Sequence, residues 1–295
     1  MSGIEIVARN PGLVLLWSFG LFMLMHVHQY LGGVLAAWRS GQTLDAIMSG
    51  TYQDHRTVLL RGLAAIGMGI PLAWVAAAFL WGRPIAWMGL SFRVELLLGG
   101  LALGLVLPVI VALVLRRLGL ATMGRAYPGD RWREKGLMLL GIACTALFTG
   151  VGEEIVFRAM AAREVALIWG WPLAVLVAGA FFGVVHLVSR LKSLTVKSSL
   201  WIMVSSIAVS FMFVAMYART GSIWLPIGVH SAWNFALVGV LGLPMDNQQT
   251  KDTDVAVFWT RLKRNSWLTG GSTGMEMSPV ALAAYALVGL LFVVL

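Results

Sequence analysis

Two adjacent carboxylates, Glu153 and Glu154, stand in the run Gly150-Val-Gly-Glu-Glu-Ile-Val-Phe-Arg158, directly after fourteen uncharged residues from Gly136 to Thr149. A charged side chain at membrane depth costs about 2.5–3.5 kcal/mol on insertion scales, and such residues usually serve function. Two more polar constellations interrupt apolar runs, Phe182-Gly-Val-Val-His186 and His230-Ser-Ala-Trp-Asn234. Carboxylates and imidazoles are the side chains that move protons in hydrolytic reactions. One such residue is explained by a bridging hydrogen bond between helices, worth about 0.6 kcal/mol on average. Glu153, Glu154, Arg158, His186, His230 and Asn234 together, on three separate spans, point to a site.

Helical spacing sorts these groups. Residues four apart share a face, so Glu154 projects with Arg158 and His230 with Asn234. Glu153 lies about 100° round the helix from Glu154, which lets one carboxylate pair with the arginine while the other faces elsewhere. A turn is expected at Trp169-Gly-Trp-Pro172. Glu153 stands 16 residues before Trp169 and His186 16 after Gly170. In an antiparallel hairpin both are then about 24 Å from the turn, and they can meet. His230 starts only about 10 Å into its span. Its height matches if the hairpin protrudes from the membrane, as the charges of Arg158, Arg163 and Glu164 suggest.

The positioning elements follow from composition. Of 295 residues, 59% are hydrophobic and only 12% charged, against roughly 25% charged in a soluble domain. Long apolar runs predict an all-α polytopic membrane protein with about eight transmembrane helices in one bundle. The expected spans are 13–37, 58–81, 94–115, 136–157, 172–189, 199–217, 223–243 and 279–295. With no repeat and no long polar insert, residues 1–295 read as a single multi-span membrane domain. The first run is too long for a signal-peptide core and reads as a retained span. The lone cysteine, Cys144, excludes an internal disulfide and reads as a packing residue.

The formal net charge of +9 does not imply nucleic acid. The loop from Arg116 to Lys135 alone holds six Arg and Lys, and across the chain 15 of 22 fall on one set of alternate loops, with Arg61 just inside the second span beside them. That is the positive-inside pattern, which places the basic side in the cytoplasm and both termini outside. The depth of His230 puts the site nearer the less basic face. In the longest loop, 244–278, aromatics mix with basic residues over Val255–Trp267, as in a segment lying in the membrane interface or covering an active-site mouth.

The three motifs resemble those of the CPBP family of intramembrane proteases (CAAX prenyl endopeptidase type II and bacteriocin-processing, or Abi, proteins). That family carries Glu-Glu-x-x-x-Arg, then Phe-x-x-x-His, then His-x-x-x-Asn or His-x-x-x-Asp. The lead-in Gly221-Ser-Ile-Trp-Leu-Pro226 and the stretch Leu268–Ser278 are also similar to family segments. The likeness covers about 135–290, the expected catalytic core. One departure is Ala159, where the family often has Gly after the arginine, a difference expected in packing and not in chemistry.

The resemblance implies an intramembrane endopeptidase of the CAAX-processing or peptide-maturation kind, a multi-pass protein of the cell membrane. Its partners are the lipid bilayer and a membrane-associated peptide or protein substrate. Glu153 and His186 then activate water, His230 and Asn234 stabilise the oxyanion, and Glu154 with Arg158 orients the base. A His and an amide on one face can supply two fixed donors to a developing oxyanion. Two His and one Glu would also satisfy the three protein ligands of a catalytic zinc site, although no His-Glu-x-x-His signature is present. One divalent metal such as zinc and a metal-free Glu/His mechanism both remain open. Two other readings are a transporter with a proton pathway, which should show inverted repeats, and a non-catalytic membrane scaffold or immunity protein, which should lack a motif residue.

Overall fold

A computed structural model describes residues 11–43, 55–64, 66–67, 70–71, 74–75, 78, 85–126, 132–189, 195–243, 256–263, 266–271 and 273–295. The helices are α1 (Pro11–Ser40), α2 (His55–Ala64), α3 (Val94–Arg117), α4 (Trp132–Trp169), α5 (Trp171–Ser189), α6 (Val196–Thr220), α7 (Trp224–Phe235) and α8 (Pro279–Val294). By length and apolar composition α3, α4, α5 and α6 can each cross a membrane, and α8 is a shorter apolar helix. The chain is an all-α polytopic membrane protein. The rest of the second expected span lies partly outside the described residues, as do residues 244–255 of the longest loop.

Local sequence explains the boundaries. Gly170 takes φ 84° between α4 and α5, the turn expected from Trp169-Gly-Trp-Pro. Thr195 and Ser198 cap each other's backbone at the start of α6, and Gly221 ends that helix in the left-handed region. Ser278 caps α8, with Pro279 in its first turn. The fourth span was expected to stop at 157. It continues to Trp169 through a stretch of widened turns, Ile155–Ala162, with i→i+5 hydrogen bonding. The same winding extends α7 over Ala236–Val240. Such widened turns are rare and frequent at functional sites.

The charges near the α4–α5 turn are not a solvated tip. Arg158 and Glu164 are buried. Arg163 donates to the Tyr217 hydroxyl at 3.0 Å and lies over the Trp87 ring. The long apolar helix carries these charges inward, where Arg158 pairs with Glu154 of its own helix and Arg163 with Tyr217 of α6.

Two connections meet at one end of the bundle. Those after α3 and α7 pair as an antiparallel ribbon, β1 (Ala121–Arg125) with β2 (Phe258–Leu262), in the register Gly124↔Trp259. A side chain at Gly124 would overlap the Trp259 indole, so glycine there lets the ring lie across the ribbon. The aromatic-basic segment expected in the membrane interface is thus a strand over 258–262, because β1 supplies its hydrogen bonds. Near the start of α6 the Trp201 indole donates to the Met277 carbonyl just before α8. At the opposite end Arg219 reaches the Leu295 carbonyl. The ribbon end carries Arg116, Arg117, Arg125, Arg261 and Lys263, and it is the basic end.

In a Cys144→Ala background, Leu118→Cys should react with an impermeant maleimide only from the cytoplasmic side. Trp169→Cys should react only from the other side. Labelling of both from one side would contradict the antiparallel order of α3, α4 and α5.

Candidate active site

The site is built on α4 at the onset of its widened turns. Glu154 is fully buried, and its Oε1 accepts from Arg158 Nη1 at 3.1 Å, the i,i+4 pair read from the sequence. Isolated, this arginine would be very costly to bury. Its guanidinium lies over the rings of Phe213, Phe182 and Phe157, at 4.7, 5.2 and 5.9 Å from their centroids. These faces attract the cation and keep water from the pair.

The same Glu154 oxygen meets His230 Nδ1 at 2.7 Å. A carboxylate already paired with arginine can only accept, so Nδ1 carries the proton and Nε2 points onward. Nε2 lies 3.8 Å from Glu153 Oε2. Phe213 stacks on the imidazole at 5.5 Å and 17°, and thus touches both His230 and Arg158. The contact between Glu154 and His230 crosses 76 residues and was not legible in the sequence. It makes Arg158, Glu154 and His230 one chain of charge-assisted bonds.

His230 and Asn234 sit on α7, which packs against α3 and α4 at backbone distance. A Cβ at Gly150 of α4 would overlap the Ser231 hydroxyl, and one at Gly104 of α3 would overlap the Val229 carbonyl. Gly150 lies one turn before Glu153 and Glu154, so its missing side chain sets how closely the carboxylates approach the α7 pair.

The Phe-x-x-x-His motif has a physical use for each end. His186 Nδ1 lies 2.9 Å from the Phe182 carbonyl, which accepts its proton and fixes the ring. The Phe182 ring contacts His186 at 4.2 Å, meets Phe157 edge-on at 4.9 Å and lies beside Arg158. Glu153, His186, His230 and Asn234 all line one cavity of about 150 Å³. Glu154 and Arg158 stand behind its wall, fully buried.

Other groups lining the cavity were not singled out from sequence. Ser205 and Ser206 come from α6, Tyr285 from α8, and Glu276 with Met277 from the turn before α8. Glu276 falls within the Gly- and Glu-containing stretch Leu268–Ser278, but only its position in space marks it. The Tyr285 hydroxyl donates to the Glu276 carbonyl at 3.0 Å. Glu276 and Met277 also correct the expected depth: the cavity reaches the turn at the basic end of the bundle. The equal-height estimate measured from the α4–α5 turn already reached deep into the bundle, whereas the short α7 misled.

Among the described residues no three His, Cys, Asp or Glu side chains converge closely enough to hold a metal ion. No step below is routed through a metal.

Residues 135–236, which hold all six motif residues, match the family model described as Type II CAAX prenyl endopeptidase Rce1-like. No curated protein and no solved structure is similar enough to match. The matched segment agrees with the family that the motifs resemble, one of membrane-embedded CAAX-type endopeptidases.

Removing one partner of a buried ion pair typically costs about 3–5 kcal/mol. Arg158→Ala should therefore lower the melting temperature in detergent sharply, and Arg158→Lys should not restore it, since an ammonium cannot copy the flat guanidinium lying over three rings. Unchanged melting in Arg158→Ala would contradict the pairing.

Proposed function

We propose, because residues 135–236 match the family model described as Type II CAAX prenyl endopeptidase Rce1-like, that this chain hydrolyses a peptide bond near the C-terminus of a prenylated, membrane-associated substrate. Peptide hydrolysis needs an activated water, a stabiliser for the oxyanion and a proton for the leaving amine. Glu153 takes the proton from water, and His186 Nε2, fixed by the Phe182 carbonyl, orients that water. The hydroxide adds to the scissile carbonyl. His230 Nε2–H and Asn234 Nδ2–H receive the oxyanion, and Glu154 holds the imidazolium through Nδ1. The proton then passes from Glu153 to the leaving nitrogen as the C–N bond breaks.

One observation carries most of this reading. Asn234 Nδ2 is buried without a hydrogen-bond partner among the described residues, beside His230 and in the cavity of Glu153 and His186. An unpaired buried amide costs about 1–3 kcal/mol. A donor held in waiting is what an oxyanion site requires. The prenylated substrate fits the position of the cavity. It reaches the basic end of the bundle, which the positive-inside rule assigns to the cytoplasm, where a lipid-modified C-terminus would approach. The same reading assigns the protein to the cell membrane.

Purified protein should cleave an internally quenched farnesyl-cysteine peptide. Glu153→Gln and His186→Ala should each abolish cleavage while remaining folded. Asn234→Ala should lower kcat about 10²–10³-fold. Full activity in folded Glu153→Gln would refute the base assignment. Cleavage should survive 1,10-phenanthroline and EDTA, and loss that is restored by zinc would refute the metal-free route.

A further inference from the structure

The α6 wall of the cavity carries none of the three motifs, but it holds two hydroxyls the mechanism above does not use. Ser205 and Ser206 are 3% and 2% exposed, both line the cavity, and neither Oγ has a hydrogen-bond partner among the described residues. Ser18, Ser210, Ser231 and Thr260 also have unpartnered hydroxyls, but none of these four lines the cavity. Thr145, Thr149 and Thr220 each donate to the carbonyl one turn back, at 3.0, 3.1 and 2.8 Å. Such back-bonding is the ordinary way a helix satisfies a buried hydroxyl. Ser210, one turn beyond Ser206, is also unpartnered, but it does not line the cavity and packs over Gly179 of α5. Ser206 packs over Gly183 of α5 in the same way, so what sets Ser205 and Ser206 apart from Ser210 is that they line the cavity.

An intramembrane peptidase must accept its substrate as extended chain, since a helix hides the scissile bond. Extended backbone away from water exposes N–H and C=O groups that each cost several kcal/mol unless paired. A serine hydroxyl both donates and accepts, and neighbouring residues on a helix project about 100° apart. We propose that Ser205 and Ser206 form a docking subsite for the peptide backbone beside the scissile bond. One hydroxyl donates to a substrate carbonyl and the other accepts from an amide N–H. The subsite recognises no side chain, so it holds substrates of varied sequence while the lipid anchor supplies selectivity. This inference rests on the peptidase reading given above.

The experiment uses the full-length protein in detergent and the quenched farnesyl-cysteine peptide. Ser205→Ala and Ser206→Ala should each raise KM about threefold to tenfold, as expected for one hydrogen bond. The double variant should raise it further, with kcat within about twofold of the parent and melting unchanged. Ser210→Ala should alter neither constant. An unchanged KM in the double variant overturns the subsite, as does an equal rise in Ser210→Ala, which would mark a general packing effect. Loss of kcat at constant KM overturns it too. If the parent protein fails to cleave the peptide, the peptidase reading itself falls, and the subsite with it.

Discussion

The buried carboxylate of Glu154 is the interaction on which the centre of this molecule depends. It neutralises Arg158 within its own helix and reaches across to His230 on α7, so one oxygen joins a charge, an imidazole and two elements far apart in sequence. Three aromatic rings seal the guanidinium from solvent, and one of them, Phe213, also lies flat on the imidazole. In such a low-dielectric setting a paired charge is rigid and an unpaired one is intolerable. Rigidity is what an oxyanion donor needs, because a donor that must reorganise during the reaction gives up its advantage.

Backbone geometry serves the same end. Glycines at 104 and 150 bring α3 and α4 against α7 until side chains from different helices face one cavity. Widened turns begin directly after Glu154 and shortly after Asn234. They change the winding of the helix at the points where site residues must aim inward. The ribbon of β1 and β2 and the Trp201–Met277 hydrogen bond tie the basic end together, and Glu276 and Met277 there complete the cavity.

The rival readings fare differently against these particulars. A transport pathway accounts for polar groups in a membrane, but it gives no reason for a buried, unpaired amide beside a carboxylate-held imidazole. A non-catalytic scaffold needs none of the motif residues to share a cavity, yet Glu153, His186, His230 and Asn234 do so. The different burial of the two acids also separates their tasks: Glu153 meets the cavity, while Glu154 is fully buried and its Oε1 joins Arg158 to His230.

By itself the sequence determined the membrane class, the helical hairpin about Gly170, the Glu154–Arg158 pair and the six polar residues worth attention. Each follows from local rules: apolar run length, glycine at a turn, i,i+4 geometry, and the cost of charge in hydrocarbon. Only the tertiary structure decided that His230 belongs to Glu154, that Ser205, Ser206 and Glu276 face the same cavity, and that the cavity lies toward the basic end. It also turned part of an expected interfacial segment into a strand. Those outcomes depend on which helix faces meet and on a partner strand more than a hundred residues away. No local pattern encodes such pairings, because each is set by the close packing of several helices at once.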